Sequence, residues 1–141
     1  MRTAFRKRDA NLFLGWTPGP ATVVELSYEN NRTEDALFPG AGMDAPKDNA
    51  DSYRLRLETP AAAGRGLLSV EGWYTDVDHL MDNYSERDLT APMAMRVPST
   101  SKTWGGRLQW RVDVGADWQA TLGVDHLDNN RDAIRYQGMS P

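Results

Sequence analysis

His79 and Met81 stand at a spacing that suits a soft metal ion. On an extended strand, residues two apart project from one face. An imidazole beside a thioether is a soft donor pair, and thioether sulfur favours Cu(I) over zinc or magnesium. Met93 and Met95 repeat the spacing in the same polar stretch and are candidates for additional donors. The ordinary reading of such residues in a loop is solvation or packing, and Met43 reads as a hydrophobic contact. His126, between Asp125 and Asp128, suits an interface position better than a metal site. Asp76 and Asp78 read as loop solvation, with electrostatic attraction of a cation as the alternative. No enzyme chemistry emerges. Ser69, Ser85 and Ser99 lack a Gly-x-Ser-x-Gly setting, and no glycine-rich phosphate loop is present. Glu25 and Glu29 share their face with many arginines, which points to a salt-bridge network. The chain has no cysteine, which excludes a disulfide framework and a cysteine-based zinc site within it.

These residues need elements to position them, and the dominant signal is an alternation of period two. Val24, Leu26 and Tyr28 oppose Val23, Glu25 and Ser27. Tyr53, Leu55 and Leu57 oppose Arg54, Arg56 and Glu58. Leu68, Val70, Gly72 and Tyr74 oppose Ser69, Glu71 and Trp73. Trp104, Leu108, Trp110 and Val112 oppose Arg107, Gln109 and Arg111. Trp118, Ala120, Leu122 and Val124 oppose Gln119, Thr121 and Gly123. A weaker segment covers Asp9 to Trp16. The pattern predicts about six strands of roughly 8–12 residues. Outward-facing Leu55, Val70, Leu108 and Leu122 should lie opposite Arg56, Glu71, Arg107 and Gln119.

The connections alternate short and long. Thr17–Pro20, Thr59–Gly66 and Val114–Asp117 are short; Asn30–Asn49, His79–Lys102 and the stretch from Asp128 onward are long and polar. Outer-membrane barrels combine short periplasmic turns with extended outer loops in this way. Trp16, Trp110 and Trp118 lie beside short turns, and Tyr28, Tyr53, Tyr74 and Trp104 lie toward long loops, as two interfacial girdles would require. The net charge of −4 advertises no nucleic-acid partner. Mean hydropathy of −0.63 looks soluble, but a barrel span turns only every second residue to lipid. The charge density on the inner face needs a wet or plugged lumen, as in barrels of about 22 strands. Open sheet edges are not tolerated in hydrocarbon. The reading is therefore an all-β, antiparallel, up-and-down transmembrane segment, with residues 1–141 forming part of a larger barrel. The competing reading is a soluble carbohydrate-binding β domain in which Trp73, Trp104 and Trp110 converge on one groove.

Tyr74-Thr75-Asp76-Val77-Asp78-His79-Leu80-Met81-Asp82-Asn83-Tyr84-Ser85 resembles a strand-to-loop segment of TonB-dependent copper receptors. Thr103–Arg107 resembles the start of their next strand, Asp9–Pro18 an earlier strand and turn, and Ala36–Asp44 the intervening loop. The resemblance implies a Gram-negative outer-membrane location, with lipid around the barrel. It also implies an amino-terminal plug and import energised by the TonB complex; plug and further strands are expected outside this chain. It assigns His79 and Met81 to one half of a copper site, with copper as transported ligand. The other half in the family is a Cys-x-x-x-Met pair, which this cysteine-free chain does not supply. Uptake of a siderophore or other metal chelate is the alternative within the class.

Overall fold

The computed structural model describes residues 4–38, 40–61, 66–89 and 92–138. Six long strands follow one another: β1 (Arg6–Gly19), β2 (Thr22–Ala36), β3 (Asp44–Pro60), β4 (Leu67–Asp82), β5 (Met95–Asp113) and β6 (Gln119–Ala133). Each pairs antiparallel with its neighbour in sequence. The short β7 (Tyr136–Gln137) prolongs β6 along the same side of β5. The described residues contain no helix. The sheet is not closed, and β1 and β6 are its edges.

The strands run to 14–19 residues, longer than the alternation indicated. The extra length comes from segments expected to be loop. Asn30–Glu34 pairs with Lys47–Asp51, and His79–Asp82 pairs with Arg96–Ser99. Asn30–Glu34 and Lys47–Asp51 are polar on both faces apart from Ala50, and apolar Leu80 and Met81 fall on opposite faces, so the periodicity vanishes while the backbone pairing continues. The long connections shrink to 37–43 and 83–94.

Register aligns the faces across the sheet. Trp16, Val24, Leu57, Val70, Leu108 and Val124 form one row of Cα partners on the apolar face. Leu12, Tyr28, Tyr53, Tyr74 and Trp104 form another, four residues toward the long loops. The Tyr28 and Tyr53 rings stack at 4.9 Å, and those of Tyr53 and Tyr74 lie 6.3 Å apart. On the opposite face, Glu25, Arg56, Glu71, Arg107 and Asp125 are partners in one row of alternating charge. The expected division of Leu55, Val70, Leu108 and Leu122 from Arg56, Glu71, Arg107 and Gln119 holds at every position. Clefts of about 220 and 310 Å³ open on the polar face beside Arg54.

The hairpin turns are staggered against these rows. Half the sequence separation of the partners Trp16/Val24, Leu57/Val70 and Leu108/Val124 places the three turn midpoints about 4, 6.5 and 8 residues below one row.

Packing is inverted relative to a soluble domain. Leu14, Leu26 and Leu55, successive cross-strand partners on the apolar face, are each about half exposed. Soluble monomers rarely expose contiguous apolar patches above a few hundred Å². Of the buried residues among those described, Ala36, Asp44, Ala45, Asp82, Asn83 and Ala94 lie at the long-loop end, and Gly105 alone lies mid-strand, under the Trp73 ring. Trp73 faces the polar side while Trp104 and Trp110 face the apolar side, so the groove required by the carbohydrate-binding reading does not form.

Candidate functional site

Strand parity decides where the soft donors point. On β4, Glu71, Trp73, Thr75, Val77, His79 and Met81 share the polar face, so the expected same-face geometry of His79 and Met81 is realised. His79 is the Cα partner of Asp48 on one side and Ser99 on the other. Asp48 Oδ1 lies 3.3 Å from His79 Nδ1. Ser99 Oγ donates to the His79 carbonyl at 3.4 Å. Met81 partners Val97, and Met95 lies two residues from Val97 on the same face. Met81 and Met95 are therefore diagonal neighbours, about 7–8 Å apart at their Cα atoms and within reach of long side chains. Met93 sits outside the strand, half exposed, in the bend before β5. Met43 immediately precedes Asp44, the Cα partner of Asp82. Met139 lies outside the described residues.

The loop that carries these residues is tied by buried polar groups. Asn83, 4% exposed, donates through Nδ2 to the Met93 carbonyl at 3.0 Å and accepts the Met95 amide on Oδ1 at 2.8 Å. Its own amide donates to the Met95 carbonyl at 3.2 Å. One side chain thus fixes both ends of Met93-Ala94-Met95, and Ala94 is small enough to be buried there. Asp82 accepts the amides of Tyr84 and Ser85 at 3.2 and 2.8 Å and the Ser85 hydroxyl at 2.5 Å. This local side-chain turn starts the loop. Asp44 takes two bonds from the Arg87 guanidinium and accepts the Phe38 amide at 2.9 Å. Arg87 also donates to the Ala41 carbonyl at 2.8 Å, joining the two long loops. Asp82, Asn83 and Ser85 thus serve loop architecture, and they place Met95 diagonal to Met81.

Charge follows the same geometry. Hydrogen bonds from Arg87 hold the Asp44 carboxyl below the usual carboxylate range, against the opposing effect of burial. Burial pushes Glu86 up, helped by the charges of Asp35, Asp82 and Asp44. Asp76 and Asp78 lie on the face opposite His79. Asp76 accepts the Tyr74 hydroxyl at 3.2 Å, and Asp78 pairs with Lys47. His126 packs against Trp104 on the apolar face, with ring centroids 5.1 Å apart. Asp125 points the other way, so Asp125, His126 and Asp128 do not converge. Arg56 binds Glu25 at 3.1 Å and Glu58 at 2.6 Å and lies 3.8 Å from Glu71. Glu25 is thus part of a salt-bridge network rather than an acid–base pair. Among the described residues, no three His, Cys, Asp or Glu side chains are grouped to hold a metal ion.

Three positions escaped the sequence reading. Asp48 and Asp44 lie in a stretch read as loop, where the sequence carries no sign of cross-strand partners. Arg87 is one charge among several in the Ser85–Asp88 segment, and only the fold brings it to Asp44.

No protein-family model matches the chain, and no curated protein does. Among solved structures, it superposes on one described as the copper transporter OprC with a TM-score of 0.84 and 27% sequence identity. The match covers 95% of this chain and 23% of that one, so this chain spans less than a quarter of its length.

Proposed function

We propose that this chain is a wall segment of an outer-membrane, TonB-dependent receptor that takes up copper. His79 and Met81 offer the ion its first soft donors on the luminal face. The observation that carries the reading is that pair, set on the polar face at the loop end of β4, in a chain that shares its fold with a copper transporter. The apolar face gives lipid a surface to cover, and the polar face gives a plug a charged wall. Met95, fixed by Asn83 on the same face as Met81, is a third donor and a better placed one than Met93. Imidazole and thioether are soft donors that suit Cu(I). The remaining ligands come from the plug or another loop.

Copper stoichiometry and affinity of the full-length receptor test this, with His79→Ala, Met81→Leu and Met95→Leu. Leucine keeps the volume near that of methionine and removes the sulfur. His79→Ala and Met81→Leu should each lower copper affinity, and Met95→Leu should do so to a smaller extent. Wild-type copper content and affinity in the first two variants would place the site elsewhere. Uptake of a metal chelate is the second reading, favoured by Arg54 and Trp73 lining one cleft on the polar face.

A further inference from the structure

We infer that Asp48 is the positioning residue of the copper site, presenting His79 to the ion through Nε2. The inference rests on the copper reading above and deepens it. A metal-binding histidine commonly gives its second ring nitrogen to a carboxylate, which fixes the tautomer and raises the basicity of the ligating nitrogen. Asp48 is in position for that role. It is the direct cross-strand partner of His79, and its Oδ1 stands 3.3 Å from Nδ1. A carboxylate at Nδ1 favours the proton on that nitrogen and leaves the Nε2 lone pair unshared. The neighbouring charges do not compete for Asp48. Lys47 lies on the other face and is engaged by Asp78, and Asp76 pairs with Lys102 at 3.8 Å on that same face. His79 is the one cationic or ring-nitrogen partner of Asp48 among the described residues. The backbone on the far side is held as well, because Ser99 Oγ donates to the His79 carbonyl. With Asp48 beside Nδ1 from β3 and Ser99 on the main chain from β5, Nε2 is the ring nitrogen left for an ion, on a strand face shared with Met81 and Met95.

The test uses the full-length receptor in detergent, with Cu(I) in competition against a chromophoric chelator. The nitrogen-15 spectrum of the His79 ring is recorded in the metal-free protein. Asp48→Asn should lower Cu(I) affinity about 10–100-fold at unchanged stoichiometry. It should also shift the metal-free ring toward the Nε2–H tautomer. Asp48→Glu should restore most of the affinity, because the carboxylate returns. A purely structural role would not move the tautomer and would not distinguish Asn from Glu. Wild-type affinity with an unchanged tautomer in Asp48→Asn would overturn the inference while leaving the copper reading intact. Unchanged Cu(I) affinity in His79→Ala would overturn both.

Discussion

Changing Leu108 to arginine asks whether the apolar face meets lipid. On β5, Leu108 lies four residues from Trp104, in the aromatic row, and six from Val114, at the short turn. The ten-residue span between them is about 33 Å along a strand, and a tilt of 35–45° reduces it to about 25 Å, the height of the apolar band of a transmembrane barrel. Leu108 then sits about 10 Å below the aromatic row, close to the bilayer midplane. An arginine there should cost about 2–4 kcal/mol. Gln109 is the control, one residue away on the polar face, where an arginine should stay within about 0.5 kcal/mol. The 2 kcal/mol end of that range is about a 30-fold change in the folding constant. Urea titration of the full-length barrel in phosphatidylcholine vesicles, followed by tryptophan fluorescence, measures both. Equal costs at the two positions, or a larger cost at 109, would refute the assignment of faces.

Asp44→Ala leaves the Arg87 guanidinium and the Phe38 amide without their acceptor. It should destabilise the joined loops by about 3 kcal/mol, the low end for breaking a buried pair because Arg87 is partly exposed. Hydrogen exchange at the Asn83 and Met95 amides checks this. The same loops should respond to pH with two limbs. Asp44, lowered from 3.8, contributes stability that is present above that value and lost as pH falls through its folded pKa. Glu86, raised from 4.5, contributes stability that is present below that value and lost as pH rises through its folded pKa. Opening free energies measured between pH 3 and 8 should therefore peak in the acidic range, and Glu86→Gln should flatten the upper limb. A Cβ at Gly105 would stand 2.6 Å from both the His126 carbonyl oxygen and the Trp73 ring. Gly105→Ala should therefore displace the indole, seen as a shift in Trp73 fluorescence in a variant lacking the other tryptophans.

The part of the fold between the short turns and the aromatic row is legible in the sequence because one face there is apolar and the other is not. Leu26, Leu55 and Leu108 alternate with Glu25, Arg56 and Arg107, and the hairpins follow. Above the aromatic row the code fails. Arg32, Asn49 and Asp78 lie on one face and Asn31, Asp48 and His79 on the other. With both faces polar, a strand reads as a loop. The candidate site divides in the same way. His79 and Met81 are visible through their spacing and their neighbours in the sequence. Asp48 is paired to His79 only by a register that spacing does not encode, and Met95 owes its position to Asn83, whose side chain bonds are invisible from its type.

The stagger of the turns has a geometric consequence. From the first hairpin to the last, the turn midpoint moves about four residues against the row, roughly 13 Å along the strands over about 19 Å of sheet. If the turns share one depth, the strands lean about 35° from the membrane normal, at the shallow end of barrel tilts. A row of partners then climbs like a screw thread, by nearly 3 Å at each strand, and the aromatic row lies about 8 Å higher at Trp104 than at Tyr28. The strands also lengthen from 14 residues in β1 to 19 in β5. The outer rim of this wall is therefore a ramp, and its high end carries Met95.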